Sequence, residues 1–297
     1  MDHQIAIIGG TTYDHIVYLP HLPQPVPHTI HSAIFHEATG STGAGKALAL
    51  TKLGMPNTLY SVVGDDQYGR YIKHYLEEQG VYTIFDTDPS GTERHINLMD
   101  EEGGRISIFV TQSSEEIEYN YPAIEDMLQQ SSVIVLNIIG YCRNLISLIQ
   151  GYDKPVWTDL HDYDGHNTYH QDFIDAATYI HLSSDNLPDY KAVMHELIAK
   201  GKELVICTHG RAGASLLTKN REWYDQPAIK GLPIKDSNGA GDSFFSGFLF
   251  AWLNEMPLKK CLQYGAVCGG YAVTSSHLVC EALSPAFVEE KIKRHFG

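Results

Sequence analysis

From Val133 onward the chain alternates short, wholly apolar runs with segments of helical period. The runs Val133–Ile139, Val156–Asp159, Tyr179–Leu182 and Leu204–Thr208 are hydrophobic on both faces, so a sheet made from them needs cover above and below. The intervening helical segments supply that cover. This predicts a three-layer, doubly wound, mostly parallel α/β sheet. Ile5–Ile8, ending at Gly9-Gly10, and Thr58–Val63 read as further buried strands, while Ala214–Leu217 and Glu222–Asp225 read as an antiparallel edge. Helices are expected at Ala44–Leu53, closed by Gly54 and Pro56, and at Tyr68–Gln79, closed by Gly80. Two more are expected near the end, at Leu258–Ser275 and Pro285–His295.

Two segments do not suit such a core. Tyr13–Thr39, studded with prolines and with His31–His36 as an exposed strand, and Gly91–Val110, a hairpin around Asp100–Gly104, are both polar on alternate positions. They are expected to form a small β-sheet lid over the C-terminal ends of the core strands, where it would exclude water. Two unrelated surface hairpins are the alternative. The first arrangement divides the chain into a core of residues 1–12, 40–90 and 112–297 and a lid of residues 13–39 and 91–111.

The formal charge of -15 excludes nucleic acid and an anionic membrane as expected partners. No apolar run reaches membrane-spanning length, and Met1 leads almost at once into a strand with no basic leader, so a cytoplasmic protein is expected. Cys142, Cys207, Cys261, Cys268 and Cys280 form no C-x-x-C pair, which points to neither zinc nor a disulfide framework. The sixteen histidines are scattered, with only His166 and His170 at i, i+4, and read as surface residues.

The chemistry concentrates in Asp236-Ser237-Asn238-Gly239-Ala240-Gly241-Asp242. Phe244, Phe245, Phe248, Leu249, Trp252 and Leu253 follow on one helical stripe, so the run ends where a helix begins. Gly239, Ala240 and Gly241 leave their N–H groups unobstructed at the positive end of that helix, a cradle for an anion. A carboxylate beside an anion cradle would repel the anion, so Asp242 reads as a general base that takes a proton from a hydroxyl attacking a phosphoryl group. A Gly-rich turn with an Asp cap is the plainer alternative, and it does not account for Asp236, Asn238 and Asp242 together.

These seven residues resemble the D-T-x-G-A-G-D signature of the ribokinase-like (PfkB) carbohydrate kinase family, with Ser237 for Thr. Gly9-Gly10 with Asp14, Gly40 through Gly54, Val63-Gly64-Asp65-Asp66 with Tyr68-Gly69, and Thr208-x-Gly210 with Gly213 are similar to the family's other motifs, in the same order. The resemblance implies a ribokinase-like fold, a kinase using ATP with Mg2+, and Asp242 as the base, with Gly239, Ala240 and Gly241 around the γ-phosphoryl. It places Asp14, Gly40 and Gly43, together with Asn137, on the acceptor side, and Thr208, Gly210, Gly213 and Asn238 along ATP. Asp236 and Asn238 stand where relatives bind a monovalent cation such as K+, largely through backbone oxygens. The sequence departs from the pattern at Gly45, where the family has a sugar-binding Asn, and at Ser41, which replaces a Gly. Ser183 to Asn186 replaces the metal-organising N-x-x-E motif, leaving Asp185 as a weak Mg2+ candidate. Asp159, His161 and Asp162 form a further acidic cluster, read either as reaching the phosphates through water or as a solvated loop.

Gly40 to Lys46 also matches G-x-x-x-x-G-K, but Ala47 lacks the hydroxyl of a Walker A motif and the preceding segment is no buried strand. On this reading a Lys46→Ala change is expected to give only a mild or substrate-side defect. The acceptor expected is a small sugar; a nucleoside kinase, with Tyr13, Tyr18 or Phe35 stacking on a base, and a catalytically weakened sugar- or nucleotide-binding sensor are the alternatives. A homodimer through the lid is a further expectation.

Overall fold

In the computed structural model, which describes residues 4–101 and 104–297, the apolar runs pair as their burial requires. The first three residues of the expected core, and the middle of the Asp100–Gly104 turn, lie outside the described residues. In chain order the first half contains β1 (Ile5–Ile8), β2 (Thr12–Leu19), β3 (Ile34–Gly40), α1 (Thr42–Lys52), β4 (Asn57–Val63), α2 (Gln67–Glu78), β5 (Tyr82–Thr87), β6 (Arg94–Asp100) and β7 (Arg105–Thr111). Then come α3 (Tyr121–Gln130), β8 (Val133–Asn137), α4 (Gly140–Arg143), α5 (Ile146–Ile149), β9 (Val156–Asp159), α6 (Gln171–Ala176), β10 (Tyr179–Ser183), α7 (Tyr190–Ala199) and β11 (Leu204–Thr208). The chain closes with β12 (Ala214–Thr218), β13 (Trp223–Gln226), α8 (Ala240–Leu253), α9 (Leu258–Ala272) and α10 (Pro285–Phe296).

The large sheet has nine strands in the order β13-β12-β11-β10-β9-β8-β1-β4-β5. All neighbours from β11 to β5 run parallel, and β12 and β13 form the antiparallel edge. Side chains alternate between two cores. Ile5, Ile7, Val135, Trp157 and Ile206 face α1, α8 and α9, whereas Ala6, Ile8, Leu136, Ile180 and Leu182 face α3, α6 and α7. β1 lies between β4 and β8, so successive crossovers leave it in opposite directions. A crevice opens at the C-terminal ends of strands where the winding reverses, and Gly9 and Asn137 occupy that position.

The two excursions do share one small sheet, ordered β3-β2-β6-β7. β2 and β6, from different excursions, pair in parallel with Asp14 opposite His95 and Tyr18 opposite Met99. Asp66 ties the second excursion to the core. Its Oδ1 accepts the N–H groups of Tyr68 and Gly69 as the N-cap of α2, and its Oδ2 accepts the Thr92 N–H at 2.9 Å just before β6. Several boundaries differ from the sequence reading. β5 was not anticipated, because Tyr82 is 74 % exposed on this edge strand and the run lacks the two-faced apolar signature. β3 starts at Ile34 rather than His31, and α9 stops at Ala272, short of Ser275.

Candidate active site

α8 begins without a side-chain cap. Its N-cap, Gly239, takes the left-handed conformation (φ 71°), and a Cβ there would lie 2.3 Å from the carbonyl oxygen of Leu278, so both torsion and space require glycine. A Cβ at Gly241 would meet nothing within 4 Å. The first turn thus has no side-chain cap and borders open space at Gly241, which fits a phosphate group, while the Ala240 N–H donates to the Ser237 carbonyl at 3.4 Å.

In the first turn of this helix, Asp242 is buried at 8 % exposure. Its Oδ1 is 2.5 Å from Lys46 Nζ of α1, and Lys46 Nζ also donates to Asp159 Oδ2 at 3.0 Å. His181 Nδ1 lies 3.0 Å from Asp159 Oδ1 and closes the far side. The helices carrying this pair are clamped by Ser246, whose hydroxyl donates to the Asp242 carbonyl at 2.8 Å and reaches the Lys46 carbonyl at 3.4 Å. Burial pulls the Lys46 ammonium down, but the charges of Asp159 and Asp242 outweigh it and the net direction is up. Burial pushes the Asp159 carboxyl up, yet Lys46, His181 and His161 hold it well below the ordinary range. The other oxygen of Asp242 lies over Gly45, where a Cβ would come within 3.0 Å of Oδ2.

Three sequence expectations change here. Asp159 is not on a solvated loop but ends a buried strand at 3 % exposure. His181 and His170 are interior rather than surface histidines, at 2 % and 6 %. Lys46 does not sit on the acceptor side alone, because it touches the expected base directly. The reading of its G-x-x-x-x-G-K run as no P-loop agrees with the strand before α1, which belongs to the small sheet and is largely exposed.

Asp14, 4 % exposed, holds the opposite wall. Thr12 Oγ1 donates to its Oδ1 at 2.7 Å, and His95, itself 2.8 Å from Glu93, approaches to 3.6 Å. Burial pushes the Asp14 carboxyl up, partly offset by the Thr12 hydrogen bond and His95. Gly40 is there for Asp14, since a Cβ would lie 2.1 Å from Oδ2. Gly43 faces backbone rather than open cleft, with the Gly10 oxygen 2.6 Å from an added Cβ. Asn137 is fully buried; its amide NH2 bonds Thr42 Oγ1 while its Oδ1 has no hydrogen-bond partner among the described residues.

Thr208, Gly210 and Gly213 lie at the end of β11, on the other side of β9 and β10 from Asp14 and Asn137. Gly210 (φ 51°) borders open space, and Gly213 (φ 111°) passes against the carbonyl of Gln226. Between the two walls runs the loop before α8. Asp236 accepts the Tyr18 hydroxyl at 2.8 Å and the Asn238 N–H at 2.7 Å, and Asn238 Oδ1 accepts Arg105 Nη1 at 2.7 Å. These side-chain oxygens are thus engaged by the small sheet, leaving backbone oxygens for any monovalent cation. Asp185 is exposed, and no cluster of three or more His, Cys, Asp or Glu suited to a metal occurs among the described residues. A magnesium ion here would be carried mainly by substrate phosphates and water.

Sequence reasoning missed the pairing of Lys46 with Asp242, the hydrogen bonds of Tyr18 and Arg105 to Asp236 and Asn238, and the Glu93–His95 pair. The signal for Lys46 was present: it shares a helical stripe with the buried Leu50 and Leu53, and a lysine on such a stripe needs a counter-charge. The proposed base-stacking aromatics are otherwise engaged. Tyr13 packs between Tyr68 and Tyr71, Tyr18 binds Asp236, and Phe35 lies beside His15.

Comparison with known proteins bears on the family and the fold. A family model described as pfkB family carbohydrate kinase matches residues 2–175 and 174–280. The chain is similar to acarbose 7(IV)-phosphotransferase of Actinoplanes sp., with 33 % identity over 91 % of this chain and 92 % of that protein. It is also similar to a nucleoside kinase of Methanocaldococcus jannaschii, with 23 % identity over 98 % and 97 %. Among solved structures, a microbiome-derived acarbose kinase superposes with a TM-score of 0.88 at 29 % identity, covering 98 % of this chain and 99 % of that one. A ribokinase from Giardia lamblia reaches a TM-score of 0.85 at 16 % identity over both full lengths, a likeness of fold.

Proposed function

The chain belongs to the pfkB family of carbohydrate kinases, and from that premise we propose that it transfers the γ-phosphoryl group of ATP to a hydroxyl of a sugar-like acceptor, with Asp242 as general base. The observation that carries this reading is the placement of a buried carboxylate in the first turn of a helix without a side-chain cap, with one oxygen lying over Gly45.

Asp14 and His95 accept and orient acceptor hydroxyls, and Asn137 contributes its unpartnered amide oxygen. The hydroxyl to be phosphorylated lies near Asp242 Oδ2 and loses its proton there as it attacks. Negative charge that spreads over the transferring group is met by the N–H groups of Gly239, Ala240 and Gly241, fixed in advance by the helix. The nucleotide lies along Thr208, Gly210, Gly213 and Asn238. Magnesium bound with the nucleotide would supply charge neutralisation on the phosphates, and the exposed Asp185 would be the carboxylate to hold it, through water. A potassium ion would be held by backbone oxygens around Asp236 and Asn238. The small sheet is a lid, latched shut by Tyr18 and Arg105 and keeping water from the phosphoryl group.

An acarbose-like acceptor is the first choice, because the 33 %- and 29 %-identical relatives both carry acarbose in their names. At Gly45, where the family pattern has an Asn, no side chain reaches the acceptor, because the Asp242 carboxylate packs directly over this glycine. A cavity of about 320 Å3 lined by Tyr18, Ile34, Met99 and Ser237 gives an extended acceptor room beyond the latch. The homodimer reading rests on the outer face of the lid, where Phe35 and Ile108 are 56 % and 46 % exposed on the side away from Tyr18.

The test is ADP release with ATP and, in turn, acarbose, ribose and nucleosides. Turnover with acarbose and loss of at least 10^3-fold in kcat in Asp242→Asn, with ATP affinity unchanged, are expected. Retained turnover in Asp242→Asn would eliminate the base. Ligand binding without phosphorylated product in the unaltered protein would favour the sensor.

A further inference from the structure

Lys46 is a buried charge that the reaction above leaves unused. Its ammonium is fully buried, and the groups facing it are Asp242 Oδ1 at 2.5 Å, Asp159 Oδ2 at 3.0 Å and the Phe245 ring, 5.0 Å to the centroid. Behind Asp159 stand His181 at 3.0 Å and His161 at 3.9 Å. Desolvating one cation and two carboxylates is expensive, and an apolar residue of similar volume serves stability as well or better. Stability alone therefore does not explain a lysine at this position.

The geometry supplies another reason. A carboxylate on a helix can rotate about its χ angles and offer either oxygen. Here one oxygen is occupied by the ammonium, and the other lies over Gly45, where any Cβ would come within 3.0 Å of it. We propose that Lys46 is a positioning residue: it fixes Asp242 with Oδ2 toward the acceptor hydroxyl, and Asp159 with His181 is the buried counter-charge that keeps the ammonium in place. This rests on the reading of Asp242 as base. The ammonium also offsets the charge of Asp242 as the anionic phosphoryl group approaches, a burden that the chain's net charge of -15 would otherwise increase. A Lys46 variant is thus expected to lose turnover, not to show the mild substrate-side defect that the sequence suggested.

The test separates positioning from simple neutralisation of Asp159. Lys46→Met, Asp159→Asn and the double variant are assayed for thermal stability and for steady-state turnover with ATP and acarbose. Lys46→Met leaves Asp242 without its cation and Asp159 with only His181 and His161, and should be both unstable and slow. The double variant removes the need for the cation at Asp159, so its stability should return toward that of the parent. Its kcat should stay about 10^2-fold down, with KM for acarbose changed less than about threefold. Recovery of kcat together with stability would overturn the proposal, since Lys46 would then only neutralise Asp159. Crystal structures of parent and double variant give a readout that needs no turnover. The Asp242 carboxylate should leave its place over Gly45 in the variant, and an unmoved carboxylate would equally overturn the proposal. Failure of Asp242→Asn to abolish turnover, by contrast, strikes the base assignment on which the proposal rests, while the two structures still report whether Lys46 holds the carboxylate.

Discussion

Replacing Gly45 by alanine adds one methyl group at the place where the site is tightest. The new Cβ would lie 3.0 Å from Asp242 Oδ2, 3.1 Å from its Cβ and 3.3 Å from its Cγ. Ordinary contact begins at 3.4 Å, so the carboxylate must recede by about 0.4 Å. It has little freedom to do so, because Lys46 holds Oδ1 at 2.5 Å and the α1–α8 crossing is clamped by Ser246. Two opposing terms act on stability. Alanine favours the helix by about 0.8–1 kcal/mol over glycine, while overpacking a buried site costs about 1–3 kcal/mol. The net is a loss of about 0–2 kcal/mol, or at most about 4 °C in Tm for a chain of this size. Turnover should suffer more, roughly tenfold in kcat, since sub-ångström displacement of a base is felt directly in the reaction. ATP affinity should not change, because Thr208, Gly210 and Gly213 lie on the far wall. Steady-state kinetics with ATP and acarbose, beside a melting curve, measure all three quantities. An alanine variant with higher Tm and undiminished kcat would show that the carboxylate is not held over residue 45.

Other perturbations reach different parts of the molecule. Gly43→Ala should cost about 3 kcal/mol or more, seen as a large drop in Tm or as insoluble protein, because its Cβ meets the backbone of Gly9 and Gly10, which cannot move aside. Arg105→Ala combined with Tyr18→Phe removes both lid hydrogen bonds to the Asp236–Asn238 loop; KM for acarbose should rise and ATP hydrolysis without acceptor should increase relative to transfer. Asp66→Ala should cost about 1–2 kcal/mol by urea titration at pH 7. Burial pushes the Asp66 carboxyl up, but hydrogen bonds from Thr92, Gly69 and Tyr68 outweigh it and hold it below the ordinary value. A depressed carboxyl stabilises the fold above its unfolded pKa, so the gap between parent and variant should shrink as pH falls from about 4 through the folded value.

The core was legible where burial on both faces leaves only one reading, as at Val133–Asn137 or Leu204–Thr208. β5 was not, because an edge strand with Tyr82 in solvent has neither a buried run nor clean alternation. The small sheet was legible as two misfit segments, yet the parallel pairing of β2 with β6 depends on residues 81 positions apart, such as Asp14 and His95. In the site, Asp242 and its glycines announce themselves locally through torsion and charge. Lys46 does not, since its meaning comes from a carboxylate 196 residues later. Asp159 was ambiguous for the same reason: a single Asp at a strand end looks solvated until a buried cation is placed beside it.

The separation of Lys46 from Asp242 also bears on biosynthesis. During translation the first half of the sheet can assemble around β1, but a lysine meant for the interior must wait for α8 to leave the ribosome. Until then α1 has a hydrated ammonium where its apolar face should seal, so the surface awaiting α8 stays loose and wet. Completion of the Lys46–Asp242 ion pair and closure of that half of the core are then a single late event, and a nascent chain cut short before residue 242 would leave exposed the surface that marks it for degradation.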